Sequence, residues 1–310
     1  MGAGRLTAIM TNTRTGTHSG PELRMPASVA AALTCPVCAD HLEQAPRGLS
    51  CASGHSFNIA REGYAGLLTG ATPPGTGDSK DMVGARLRFQ AKGHYDPIGL
   101  ALAEQLAAGD VAGFANGGVI VDVGGGTGHY LNQVLDRIPE AVGLTTDVSK
   151  FAARKAAKAH PRSGAVTADS WRRLPLADDS AEALLNVFAP RNAAEFHRVL
   201  KPEGVLLVVT PAADHLTEPR EELGLLHVDP RKDERLAEGL KDHFTLESGR
   251  DLRFTMELAH EDVLTVVGMG PSARHVSPEE LAERVAKLSE PFRTTASVRL
   301  GTYRPLPRST

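Results

Sequence analysis

The chain has 310 residues, 41% of them hydrophobic and 23% charged, enough for a full-sized core and one small accessory module. No apolar run reaches the roughly 18 residues that a membrane span needs, and three cysteines cannot all pair within one chain, so membrane-spanning and disulfide-scaffold classes are excluded. The formal net charge of −3 hides an uneven spread: seven Lys/Arg stand against the single acid Asp169 between Lys150 and Arg173, whereas acids dominate between Asp214 and Asp262.

Residues 1–33 are rich in Thr, Gly, Ala and Arg without the apolar core of a signal peptide, and read as a disordered tail on a cytoplasmic protein. Residues 34–70 hold every cysteine. Their spacing is Cys35-x2-Cys38, twelve residues, then Cys51-x3-His55. Tetrahedral zinc takes four nitrogen or sulfur ligands, and a Cys3His set is an accepted structural site. The x2 spacing aims two thiolates at one ion from a tight turn, and the twelve-residue gap fits a hairpin turning at Pro46–Gly48. Four protein ligands leave no open position, so the expected zinc is structural. A module this small then owes its fold to the metal.

Residues 71–116 begin with the Gly/Pro/Thr-rich linker "TGATPPGTGDSK". Helical spacing follows in Met82, Ala85 and Phe89, then in Ile98, Ala101, Leu102 and Leu106, with "KGHYDP" (Lys92–Pro97) as the break. From 117 to 310 strands and helices alternate. "GGVIVDVG", "AVGLTTD", "GAVTAD", "AEALLNVFAP" and "GVLLVVTP" read as strands; "GHYLNQVLDRI", "SKFAARKAAKAH" and "AAEFHRVL" read as helices, the second capped by Ser149. Near the end "TASVRLGTYRP" is strand-like, and residues 216–262 are polar and mixed. The alternation implies an α/β fold with a doubly wound parallel sheet.

The segment "VIVDVGGGTGHY" leaves a strand and opens a helix, a place where a nucleotide-like ligand meets backbone N–H groups. Glycines at Gly124, Gly126 and Gly128 with Asp122 at the strand end depart from the G-x-G-x-x-G of dinucleotide sites, which remain the alternative. The D-x-G-x-G-x-G form resembles motif I of the Rossmann-like S-adenosylmethionine-dependent methyltransferases. Asp147, nineteen residues beyond Gly128, ends the next strand and is placed to accept ribose hydroxyls. Asp169 ends the third strand, where the resemblance implies contact with the adenine amino group.

A Cys3His module ahead of this core resembles the 23S rRNA (guanine-N1)-methyltransferases, which include the macrolide (tylosin) resistance enzymes of actinomycetes. The residues carrying the resemblance are "CPVC…C…GHSFNIAREGYAGLL", "GDSKDMVGARLRFQAKGHYDP", "VDVGGGTGHY", "TTDVSK" and "NVFAPRNAAEFHRVLKPEGVLLVVTPAADHL", covering residues 34 to about 215. It implies Cys35, Cys38, Cys51 and His55 as zinc ligands and Tyr95, Gly128, His129, Tyr130 and His215 as S-adenosylmethionine contacts. It also implies a guanine in a hairpin loop of 23S rRNA, near the peptide exit tunnel, as the target.

Guanine N1 carries a proton, so a base within reach of it would help transfer. His94, Asp78 and His215 are the candidates because they flank the expected donor site, each with an ordinary packing, turn or cofactor-contact role as the alternative. Phe188 and Tyr95 are candidates for stacking on the target base, and His41, Phe57 and Tyr64 for RNA contact from the zinc module. Lys150, Arg154 and Lys158 form one stripe of a helix that either meets phosphate or is a solvated face. Two other functions are compatible with these residues: methylation of a small metabolite, with the zinc module as a lid or dimer contact, and a non-catalytic zinc-bearing nucleic-acid adaptor. The intact glycine loop and Asp147 oppose the latter. A homodimer is compatible with the sequence, which does not fix the oligomeric state.

Overall fold

The computed structural model describes residues 22–46, 48–70, 77–109, 114, 117–225, 238–269 and 276–308. Most of the expected N-terminal tail, Arg47 of the expected hairpin turn, most of the linker and part of the acidic stretch lie outside the described residues. The last third of the tail departs from expectation. The Ala-rich "ASVAA" forms helix α1 (Ala27–Ala31), whose Val29 is fully buried, followed by the equally buried Leu33. Two large apolar side chains and good helix formers give this segment a seat on the sheet.

The zinc module supplies short strands β1 (Glu43–Ala45), β2 (Gly48–Ser50), β3 (Ser56–Phe57) and β4 (Ala65–Gly66). The first three pair antiparallel, Ala45 opposite Gly48, which is the hairpin expected from the Cys spacing. Helices α2 (Lys80–Ala91) and α3 (Asp96–Ala108) follow. Ser79 caps α2 by accepting the Met82 N–H, and Pro97 sits in the first turn of α3, where its missing N–H leaves no bond unmade. The break expected at Lys92–Pro97 is therefore the corner between two helices.

The core then alternates: β5 (Val119–Val123), α4 (His129–Arg137), β6 (Val142–Asp147), α5 (Lys150–Ala156), β7 (Ser163–Thr167), β8 (Ala181–Val187), α6 (Ala193–Val199) and β9 (Leu200–Pro211). Beyond it come α7 (Thr217–Glu222), β10 (Phe244–Leu258), α8 (His260–Gly268), α9 (Pro278–Val285) and β11 (Phe292–Pro305). One eight-stranded sheet runs β10-β11-β9-β8-β5-β6-β7-β4. From β4 to β9 all neighbours are parallel, and β11 and β10 add an antiparallel hairpin. β5 and β7–β8 are buried along their full length, as strands covered on both faces must be. The strand order reverses beside β5, and the crevice at the carboxyl ends of β5 and β6 is where an open α/β sheet holds its ligand.

Candidate active site and metal centre

Two turns build the metal centre. Cys35 and Cys38 lie on a tight turn closed by the Ala39 N–H to the Cys35 carbonyl, with Ala39 left-handed at φ 64°. Cys51 and His55 flank a second turn in which Gly54 takes φ 84°. The Val37 N–H points at the Cys35 Sγ at 3.4 Å, and Ser53 Oγ donates to Asp40 at 2.6 Å, tying one turn to the other. The three sulfurs and His55 Nδ1 all lie within 4.8 Å of one another, with Cys35–His55 at 3.6 Å, Cys38–Cys51 at 3.6 Å and Cys51–His55 at 3.4 Å. A tetrahedral zinc with ordinary bond lengths sets its ligand atoms roughly 3.5–3.8 Å apart. The four residues named from spacing therefore fit zinc, and they complete its shell.

The glycine loop has the backbone expected of it. Gly124, Gly126 and Gly128 take φ of 71°, 60° and 79°, a region hostile to side chains. The Gly124 and Gly125 N–H groups both donate to the Thr146 carbonyl, locking the loop to the end of β6. Gly125 escaped the sequence reading, although the run of three glycines pointed to it. A Cβ there would lie 2.3 Å from Asp122 Oδ2. Asp122 is fully buried beneath the loop, and neither of its oxygens has a hydrogen-bond partner. Burial, reinforced by the Asp147 carboxylate, raises its pKa to about 7. An orphaned acid under a glycine loop at a helix N-terminus fits a ligand with a cationic group, as the methionine end of S-adenosylmethionine is.

Asp147 ends β6 as expected. Its Oδ2 accepts the Gly126 N–H at 2.9 Å and its Oδ1 the Ser149 N–H at 2.7 Å, so the carboxylate is aimed by the backbone and each oxygen keeps a lone pair for a ribose hydroxyl. Burial raises its pKa against those two hydrogen bonds. Asp169 is tied into its own turn, accepting the Trp171 N–H at 3.0 Å and facing Arg172 at 3.4 Å. His129 and Tyr130 open α4 with their rings edge-on at 5.1 Å; burial lowers the His129 pKa and raises that of Tyr130.

The segment after the linker closes over this crevice. The Asp78 carbonyl accepts the Ser149 hydroxyl, and the Asp78 carboxylate pairs with Arg86 at 2.5 Å. That guanidinium lies 3.5 Å from where a Gly126 Cβ would stand. Next to the loop, Tyr95, Phe188 and His215 form an aromatic cluster with centroid separations of 6.0, 6.0 and 6.3 Å. Phe188 adopts φ 55°, costly for an aromatic residue, and the residue is 41% exposed. Asn186, fully buried and absent from the sequence reading, holds this turn by donating to the Pro190 carbonyl at 2.9 Å. Ala189, in the same turn, packs on Gly124.

The three candidate bases separate. His94 lies tilted against Phe89 with centroids 4.9 Å apart and faces Asp262 at 3.4 Å, in a cluster completed by Lys92 and Glu261. Asp78 is consumed by Arg86. His215 accepts the Ser297 N–H on Nδ1, so its neutral ring carries the proton on Nε2, 3.5 Å from the Tyr95 hydroxyl. It positions Tyr95 and has no ring lone pair to spare.

One candidate RNA contact is corrected, and one residue of the basic stripe has a partner within the protein. Tyr64 is buried against Ala153 and Ala156 of α5 and Ala157 at its C-cap, so it is a packing residue. Arg154, from the expected basic stripe, pairs with Glu62 of the zinc module at 3.2 Å, a brace between module and core. Phe57 is half-buried and packs on the core; His41 is exposed.

Comparisons with known proteins agree with this geometry. Residues 33–70 match the zinc-ribbon family described as "RlmA, N-terminal", and residues 121–208 match "Methyltransferase domain". The chain is 53% identical, over 88% of its length and 97% of the relative's, to a Micromonospora griseorubida protein described as "Putative 23S rRNA (guanine-N(1)-)-methyltransferase". It is 47% identical, over 89% and 97%, to the "23S rRNA (guanine(748)-N(1))-methyltransferase" of Streptomyces fradiae. A methyltransferase domain of this fold takes S-adenosylmethionine as donor, and the Cys3His ribbon holds a structural zinc. The chain belongs to the 23S rRNA (guanine-N1)-methyltransferase family.

Proposed function

We propose that this enzyme methylates N1 of a guanine in a 23S rRNA hairpin loop near the peptide exit tunnel, and that the modification protects the ribosome from macrolides of the tylosin type. The target we assign is the guanine that corresponds to position 748, which the Streptomyces fradiae relative carries in its name. The reaction takes place in the cytoplasm, with the ribosome's own RNA as partner; among the described residues no helix is long and apolar enough to cross a membrane.

The observation that carries this reading is the exposed Phe188 ring, held in a left-handed turn whose next residue packs on the donor loop. A flat purine swung out of an RNA loop finds an aromatic face there, with Tyr95 and His215 behind it. When bound, S-adenosylmethionine supplies a methyl already activated by its positive sulfur. Asp147 holds the ribose, Asp122 supplies negative potential beneath the loop, and the aromatic cluster sets the plane of the guanine. Methyl transfer would form the N1–C bond as the C–S bond breaks, with the N1 proton passing to solvent water at the open face of the aromatic cluster. Alignment supplies much of the rate in such a transfer.

The test is methylation of 23S rRNA by the purified enzyme, mapped by primer extension, since an N1-methyl blocks the pairing edge. A stop at the guanine corresponding to 748 is expected in the wild type. Phe188→Ala should lower kcat/KM by about tenfold or more, given the ~1–3 kcal/mol that a base–aromatic stack contributes. Methylation only of small metabolites, with no stop in the RNA, would replace this reading with the second one.

A further inference from the structure

Trp171 is the chain's single tryptophan and is 68% exposed, the most exposed of the large hydrophobic residues among those described. Its surroundings are ordered. The Trp171 N–H is bound by Asp169 at 3.0 Å, and the Asn192 side-chain amide donates to the Trp171 carbonyl at 3.3 Å and toward that of Arg172 at 3.5 Å. The backbone is thus held from two sides while the ring is left in water. An indole normally buries most of its area, so a pinned loop presenting one outward suggests a surface that is covered in use.

Its location narrows what covers it. The loop leaves the carboxyl end of β7, on the rim that carries the donor crevice. Ser170, its neighbour, and Ala189, next to Phe188, both approach Gly124 of the glycine loop. The two exposed aromatic residues of this rim, Trp171 and Phe188, therefore stand on loops that meet. The stretches "DSWRR" and "FAPRN" bring Arg172, Arg173 and Arg191 to this rim, where Arg172 faces Asp169 at 3.4 Å and Arg173 faces Asp178 at 3.5 Å, both side chains staying about half exposed. An exposed aromatic plane among arginines is complementary to single-stranded nucleic acid, whose bases stack while its phosphates meet the cations.

We propose that Trp171 is a stacking platform for a second unpaired base of the RNA hairpin, one that neighbours the target guanine. This rests on the RNA-methyltransferase reading and adds to it a specificity-determining residue outside the donor crevice. Phe188 receives the guanine to be methylated, and Trp171 grips the loop nucleotide beside it, fixing which guanine is presented. Arg172 and Arg173 hold the backbone between them.

A lone tryptophan makes the test direct. The full-length, zinc-loaded protein is titrated with a short RNA hairpin carrying the target loop, following tryptophan fluorescence, while methylation of the same hairpin is assayed in parallel. Stacking should quench the emission on RNA addition, and replacing the neighbouring loop nucleotide with an abasic one should abolish the quench. Trp171→Ala should raise the KM for the hairpin by about tenfold or more, leaving kcat and the calorimetric affinity for S-adenosylmethionine within about twofold; Trp171→Phe should restore most of the KM. Arg172→Gln with Arg173→Gln should flatten the salt dependence of binding. Quenching by S-adenosylmethionine alone, with donor affinity lost in Trp171→Ala, would make the indole an adenine contact and overturn the proposal. An unchanged hairpin KM in Trp171→Ala would overturn it as well. If the wild type methylates no RNA at all, the underlying reading fails instead.

Discussion

Both oxygens of Asp122 lack a hydrogen-bond partner, and the carboxyl is sealed beneath Gly125. Burial and then the neighbouring Asp147 carboxylate lift its pKa from 3.8 to about 7. The direction of the resulting pH dependence follows from proton counting. Below about pH 4 the folded and unfolded chains both hold the proton; between about pH 4 and 7 the folded chain keeps a proton that the unfolded chain releases, so this residue makes stability fall as pH rises. In donor-free enzyme, Asp122→Asn should remove that slope, on the order of 1 kcal/mol per pH unit across the window. Chemical denaturation of both proteins from pH 4 to 8 measures it, the difference between them cancelling the other carboxylates. Parallel curves would mean that the carboxyl is hydrated and titrates normally. A residue kept at such cost at the foot of the glycine loop is explained by a ligand whose positive charge relieves it.

At the scale of elements, the glycine loop depends on the one glycine that the D-x-G-x-G-x-G spacing passes over. Gly124, Gly126 and Gly128 need their positive φ, but Gly125 is needed for space, since any side chain would strike Asp122. Gly125→Ala should weaken S-adenosylmethionine binding by roughly 2 kcal/mol or more, in line with overpacking costs, while the sheet stays folded. Calorimetry on a variant of native circular dichroism checks this; full affinity would mean that the loop has slack. The same loop shows what sequence makes legible. Backbone requirements and metal spacing are local, so the zinc ligands, Asp122, Asp147 and the alternating core could be read in order. β10 was missed in part: its second half alternates in Leu252, Phe254, Met256 and Leu258, a legible strand signal, but Thr245–Asp251 is an exposed edge with no apolar period. The surroundings of Tyr64, Arg154, Asp78 and His94 were not legible for a related reason. Their partners, α5, Glu62, Arg86 and Asp262, lie far away in the chain, and residue type alone does not say whether a tyrosine meets RNA or a helix.

For the molecule as a whole, the zinc ribbon and the sheet share one interior. β4 extends the sheet beside β7, the Leu67 N–H donates to Thr167 Oγ1, and the Thr34 N–H donates to the Pro175 carbonyl. Leu33, Leu42, Leu49 and Leu67 from the N-terminal side are buried in the same cluster as Leu144, Val166, Leu174 and Leu176 from the core. A ribbon of this size cannot offset its chain entropy without metal, so zinc loss should release it. Its release uncovers one edge of the sheet and opens that cluster. Emptying a buried leucine position costs ~2–5 kcal/mol, against a total stability of ~5–15 kcal/mol for a typical domain. The metal should therefore stabilise the donor-binding sheet as well as the ribbon. Chelating the zinc, or Cys51→Ser, should lower the melting temperature of the sheet by about 10 °C or more, taking a loss of ~3–5 kcal/mol and the ~2–4 °C per kcal/mol expected for a core of this size. Melting followed by far-ultraviolet circular dichroism should coincide with zinc release reported by a metal indicator. If the sheet melts at its original temperature after the zinc has gone, the ribbon is an appendage on a self-sufficient core, and donor affinity should then survive in Cys51→Ser. If the two transitions move together, donor affinity should fall with the metal, although none of its four ligands belongs to the glycine loop or the β6 end that form the donor crevice.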